Sequence, residues 1–209
     1  VDLEATVKTK HFVSRRQIGQ SGFSLIEVMI SMVILTVGLL AVLATIGVTM
    51  AANQTSREDM IARQLASESM ESIFTARNTS QLPFSSIANT TAVPPGIFLP
   101  NALPILCAGA DGILDTADDA PCTSASGAVC PNAGVECLTE PGPDGVVGTA
   151  DDVVVSLNNF TRTVLITPLA VGGTTIPTLV QVAITINYTV PNSGHTRSYA
   201  LIEYISSYH

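Results

Sequence analysis

One apolar run constrains this 209-residue chain more than anything else in it. From Gly22 to Met50 the residues are almost uniformly apolar, and the only ionisable side chain among them is Glu27, near the start. About 20 apolar residues suffice to cross a bilayer as a helix, so a run of this length predicts a membrane-spanning segment. A carboxylate inside such a segment costs about 2.5–3.5 kcal/mol on insertion scales and marks a functional position. The residues before the run read as its handle, and those after it as a globular part carried on it.

Charge supports that division. Residues 1–22 hold Lys8, Lys10, Arg15 and Arg16 against Asp2 and Glu4, whereas the remainder holds five arginines and no lysine against fifteen acidic residues. Basic residues before the apolar segment and none just after it place the N-terminus in the cytoplasm. The rest then lies beyond the inner face of the membrane, periplasmic or extracellular. An acidic body without lysine also lacks the electrostatic footprint of nucleic-acid binding. The leader is not an ordinary secretory signal, because the apolar run is about twice the 7–15 residues of a secretory core. The small-residue site at Thr49-Met50-Ala51 is therefore set aside as a cleavage site.

Within this frame, G-F-S-L-I-E at 22–27 resembles the class III signal of type IV prepilins and pseudopilins. The resemblance implies a membrane-embedded prepilin peptidase and N-methyltransferase that cuts between Gly22 and Phe23 and methylates the new amine of Phe23. It further implies that Glu27 neutralises the amine of a neighbouring subunit in the filament and so sets register. Elementary physics agrees: Glu27 lies four residues from Phe23, on the same helical face, and opposite charges in a low-dielectric medium strongly favour pairing. Many major pilins carry a proline midway along this segment. Here Ala44 stands near that point, and Gly38 and Gly47 are the weak places instead.

No proline occurs between Phe23 and Leu82. Beyond Met50 the pattern turns amphipathic, with Ala62, Leu65, Ala66, Ser69 and Ile73 forming a narrow stripe of helical period. The reading is one helix from about Phe23 to Arg77, roughly 80 Å at about 1.5 Å per residue, ended by Asn78-Thr79-Ser80 and Pro83. The chain thus divides into a leader (1–22), a transmembrane or filament-core half-helix (23–50), an amphipathic half-helix (51–80), a loop region (81–152) and a sheet (153–209).

The loop region holds nine of the twelve prolines and all four cysteines, Cys107, Cys122, Cys130 and Cys137. An even number in an oxidising compartment predicts two disulfides. Neighbouring cysteines can staple local loops without a core, so the expected pairs are Cys107–Cys122 and Cys130–Cys137. The absence of C-x-x-C argues against a zinc ribbon or a redox motif.

The same region repeats itself: A-D-G-I-L-D-T-A-D-D (110–119) and P-D-G-V-V-G-T-A-D-D (143–152), 33 residues apart. Compared with calcium loops, Asp111 and Asp144 stand before the turn glycine, Ile113 and Val146 offer carbonyls, and Asp118 and Asp151 offer late carboxylates. Asp115 adds a further acid in the first copy. The early ligand positions hold Cys107 and Gly109 in the first copy, and only Glu140 qualifies in the second. EF-hand geometry therefore fails, and the expectation is a looser Ca²⁺ site. The bland alternative is an Asp-Gly turn followed by a threonine cap.

From residue 153 onward, 153–157, 160–169, 178–190 and 197–206 read as β-branched and aromatic strands. Val180, Val182, Ile184, Ile186 and Tyr188 form the apolar face, and Pro191-Asn192-Ser193-Gly194 turns the last hairpin. The fold expected is α+β, a type IV pilin fold with a long N-terminal spine helix on a C-terminal antiparallel sheet. This resembles the head of PilV-type minor pilins and of type II secretion pseudopilins.

Three histidines (His11, His195 and His209) lie in the leader, a turn and the terminus, and no nucleophile, P-loop or zinc-protease motif occurs. The sequence describes no enzyme. The expected function is a structural subunit that enters or primes a type IV pilus, with other pilins, the peptidase and an inner-membrane assembly platform as partners. A type II secretion pseudopilin is the runner-up. A calcium-dependent adhesin presented on a pilus tip is the reading from another class.

Overall fold

A computed structural model describes residues 22–122, 135–191 and 194–208. The chain forms two compact units, one through Val48 and one from Thr49 onward. It is α+β: a long N-terminal helix whose second half packs on a C-terminal antiparallel sheet.

Helix α1 runs Leu25–Asn78. It begins where the Ser24 carbonyl accepts the amides of Glu27 (3.0 Å) and Val28 (3.2 Å), and it continues because no proline interrupts it. It stops where Ser80 takes a positive φ of 61°, while the Thr79 hydroxyl caps the Thr75 carbonyl at 2.8 Å. In the first unit the apolar side chains of α1 are exposed, among them Leu25, Leu35 and Leu40. α1 is long and apolar enough there to cross a membrane.

The strands are β1 (Leu103–Pro104), β2 (Cys137–Glu140), β3 (Val153–Ser156), β4 (Phe160–Val171), β5 (Thr174–Thr189) and β6 (Thr196–Ser206). Four of them form an antiparallel sheet in the order β1-β4-β5-β6, and β2 and β3 pair separately. The register sets Val164 opposite Ile184, and Ile184 opposite Leu201. The expected apolar face of β5 is the buried one, with Val182, Ile184 and Ile186 at 0% exposure. It packs on Ile61, Leu65 and Ile73 of α1, with Phe98 and Ile105 in the same buried core. Phe160 and Tyr188 stack across the β4–β5 pair at 5.4 Å between ring centres.

Three details depart from the sequence reading. Strand β3 leaves the main sheet and pairs with β2, which a short Cys-Leu-Thr-Glu stretch did not announce. Strand β5 begins at Thr174 rather than at 178, because Gly172 (φ 60°) and Gly173 (φ 82°) make a tight turn with β4. Two consecutive positive-φ residues suit the natural twist of a hairpin, which explains the pair of glycines there. Finally, buried Asn89 completes the edge of β4. Its amide donates to the Val164 carbonyl (2.8 Å), and its carbonyl accepts from the Ile166 amide (2.7 Å).

Candidate functional site

In the first unit, Gly22 and Phe23 precede the helix as exposed, non-helical residues, and Glu27 sits exposed in its first turn. A peptide bond just ahead of a helix is open to a protease, because its backbone is not locked in intrahelical hydrogen bonds. The carboxylate one turn on lies at the positive end of the helix dipole. Ser31 donates to the Glu27 carbonyl at 2.7 Å, so that hydroxyl is spent within the helix.

In the second unit, the repeats fold into the same turn twice. In the first copy, the Asp111 carboxylate accepts the Ile113 amide (2.8 Å), and Asp118 accepts the Asp111 amide (3.2 Å). In the second, Asp144 accepts the Val146 amide (2.8 Å), and Asp151 accepts the Asp144 amide (3.3 Å). Thr116 donates to Asp118 and Thr149 donates to Asp151, both at 2.6 Å. These threonine bonds, more than the backbone amides, hold Asp118 and Asp151 below the ordinary carboxylate range. Gly109 and Gly142 let the turn close: a Cβ would stand 2.4 Å from the Asp118 backbone oxygen in one copy and 2.3 Å from that of Asp151 in the other.

The structure thus brings Asp111 to Asp118 and Asp144 to Asp151, but it sends Asp115 elsewhere. That side chain turns inward, 3% exposed, and takes the Arg162 Nε at 2.7 Å and the Ser69 hydroxyl at 3.1 Å. Among the described residues no group of three or more His, Cys, Asp or Glu side chains is set to hold a metal ion.

Arg162 is the residue that sequence reasoning missed. It is 1% exposed on the inward face of β4, in phase with Phe160, Val164 and Ile166. That alternation was a usable signal, since a cation at a core-facing position demands a buried anion. Its Nη1 has no hydrogen-bond partner among the described residues.

Cys107 and Cys122 form a disulfide that brackets the first acidic loop. Cys137 is disulfide-bonded as well; Cys130, its expected partner, lies outside the described residues. A groove of about 800 Å³ runs beside this loop, lined by Glu68, Glu71 and Glu136 over Leu65 and Leu114. Burial, then repulsion from Glu68, raises the Glu136 carboxyl above the ordinary range. His195 is exposed in the β5–β6 connection.

Comparison with known proteins places the N-terminal segment. Residues 18–43 match the family model of the prokaryotic N-terminal methylation motif, the signal of type IV pilins. No curated protein and no solved structure matches the chain. The motif supports a type IV pilin-like or pseudopilin protein, and it implies processing by a prepilin peptidase and assembly with pilins. The apolar helix that carries it fits membrane anchoring. The family that owns this motif is structural rather than enzymatic.

Proposed function

We propose that this chain is a minor pilin, a structural subunit that enters or primes a type IV pilus after cleavage between Gly22 and Phe23. The observation that carries the reading is the methylation motif set on an apolar helix whose only charged side chain, up to Met50, is Glu27. After cleavage and methylation, the amine of Phe23 is cationic and lies one turn from Glu27. In the precursor the helix anchors the chain, with the second unit in the periplasm. In the filament Glu27 neutralises the amine of the neighbouring subunit, because an unpaired charge in that apolar bundle is costly. An inner-membrane platform extracts the subunit for assembly.

Mass spectrometry of the mature N-terminus tests this directly. The expected first residue is Phe23 carrying one added methyl group; a start at Ala52, or an uncut leader, overturns the reading. A type II secretion pseudopilin would share the whole N-terminal device. Deleting the gene separates the two: loss of pili supports the minor pilin, and loss of secretion with pili intact supports the pseudopilin.

A cation role for the acidic loops rests on one further observation. The Thr116 hydroxyl oxygen lies within 3.4 Å of Asp111, Asp118, Asp119 and the Ile113 carbonyl. A hydroxyl has one hydrogen to give, so acceptor oxygens converge there without enough donors, and Thr149 repeats the crowding. A hard cation with oxygen ligands relieves such a cluster. Calcium is the ion proposed, with Asp111 and Asp118, and Asp144 and Asp151, as its carboxylates. Thermal unfolding with millimolar CaCl₂ against EDTA checks it: Tm is expected to rise by several degrees, and an unchanged Tm removes calcium from the account.

A further inference from the structure

The two edges of the main sheet are finished differently. At the β4 edge, β1 covers Thr161 and Arg162, and the Asn89 side chain takes the Val164 carbonyl and the Ile166 amide. Further along, Pro168 and a bulge between Pro168 and Ala170 break the line of backbone groups. These are devices by which a sheet refuses another strand.

The β6 edge has none of them. Among the described residues no strand pairs with its outer side. Its register with β5 runs unbroken from Thr196 to Ser206, and it holds neither proline nor lysine. At its two ends, the His195 carbonyl accepts the Val190 amide (3.0 Å) and the Ser207 amide donates to the Thr178 carbonyl (2.8 Å). Odd-numbered residues therefore bond to β5. Alternation along an antiparallel strand then turns the amides and carbonyls of Ser198, Ala200, Ile202 and Tyr204 outward, and all four residues are exposed.

The charges of β6 select its partner. Arg197 and Glu203 are the charged residues of the strand, both exposed and, six positions apart, on one face. Glu203 has no ion pair among the described residues, whereas Arg197 reaches Asp59 through Nη1 at 3.4 Å. A guanidinium has five donors, so that contact leaves others to give. A second β6 laid antiparallel about a two-fold axis at Ala200 sets Arg197 of each copy opposite Glu203 of the other. These positions fall in the non-hydrogen-bonded pairs, where side chains stand closest, and Tyr199 meets Leu201 between them. Opposite charges directly across a strand pair stabilise it, and like charges oppose it.

We infer that β6 pairs antiparallel with β6 of a second copy, centred on Ala200, so that the two sheets become one. The contact is isologous, each copy presenting the same residues. Its axis stands perpendicular to the sheet, so the parts of α1 packed on the two sheets run in opposite directions. Subunits of one membrane or one filament share a direction, so the contact joins copies on two opposed filaments. That consequence rests on the assembly reading; the pairing itself does not.

Cross-linking of the full chain, purified in detergent and oxidised at high concentration, tests the pairing. The Cα atoms of a hydrogen-bonded antiparallel pair stand about 5.5 Å apart, within disulfide reach. A200C should therefore give a disulfide-linked dimer, about ten-fold above V171C, whose valine is 64% exposed away from β6. A200C/R197E and A200C/E203R put like charges across the pair, and each should fall roughly five-fold. Mixed together, the two should recover the A200C yield, because each supplies the charges the other lacks. Thermal melts of every variant should match the parent, since all the altered side chains are exposed. An A200C yield no higher than that of V171C overturns the pairing, and so does a mixture that stays as low as its parts. When two piliated cultures making A200C with different tags are combined, mixed-tag dimers are expected. Pairing in detergent without mixed-tag dimers overturns the opposed-filament consequence alone. Wild-type cells without filaments overturn the assembly reading and leave the detergent result standing.

Discussion

The two acidic loops are copies of one turn held in opposite environments. In 110–119 the turn carries Ile113, Leu114 and Asp115 into the core; in 143–152 it holds Val146, Val147 and Gly148 at the tip of the β2–β3 hairpin. The internal hydrogen bonds are nearly the same, so the local sequence makes the turn whether or not anything packs on it. Position five of the shared motif differs in a telling way. Both copies need a positive φ there, 67° at Asp115 and 97° at Gly148. Glycine adopts it freely, whereas any other residue is held there at a cost of about 1–2 kcal/mol. Asp115 is kept in that conformation because its carboxylate is the partner of a fully buried arginine.

The sharpest way to break the comparison is to write the second loop into the first. Asp115→Gly relieves the backbone but strands Arg162 in the core, and removing one partner of a buried pair costs about 3–5 kcal/mol. Unfolding in urea, followed by tyrosine fluorescence since the chain has no tryptophan, should show a loss of that size. Arg162→Met together with Asp115→Gly should recover most of it, because neither charge is then left alone.

Next in size is truncation of the matching apolar residues. Ile113→Ala opens a cavity and should cost about 2–5 kcal/mol. Val146→Ala, at an exposed position, should stay within about 0.5 kcal/mol. Equal effects at the two sites would mean that the second loop is buried in the protein as isolated.

The reciprocal graft is milder. Gly148→Asp gives the second loop the residue of the first without its arginine, leaving only the backbone penalty of about 1–2 kcal/mol, felt within the hairpin. Local proteolysis at 143–152 should quicken while the midpoint of global unfolding hardly moves.

The smallest effect lies in the acid beside the first loop. Glu136 is held above its ordinary pKa of 4.5, chiefly by burial. Protonated Glu136 suits its site, so its stabilising contribution is full below that value and is lost as pH rises through the raised one. Glu136→Gln should therefore match the parent at pH 4 and exceed it at pH 7, and a variant less stable at pH 7 would contradict the assignment.

Much of the architecture is legible in residue order alone. The proline gap and the helical stripe located α1 within two residues at each end, and the alternation in 180–188 named the buried face of β5. Strand β1 had no signal to offer, since two residues carry no period. Strand β2 is nearly as poor, being short and half polar, and its existence depends on β3 lying alongside. Arg162 was legible in principle, as a charge in phase with core residues, but its partner was not. Asp115 lies 47 positions away in a motif that looks like a surface loop.

The apolar run with its single carboxylate was evident from residue order because membrane insertion and helical period depend on neighbours a few positions apart. Glu27, Phe23 and Gly22 belong to one local motif, and so does each Asp-Gly turn. Which of the two turns enters the core is not written in the turns themselves. That outcome rests on where Arg162, Ser69 and Ser72 stand once α1 and β4 have packed. Burial of a charge pair is settled by long-range contacts, and a local sequence cannot encode them.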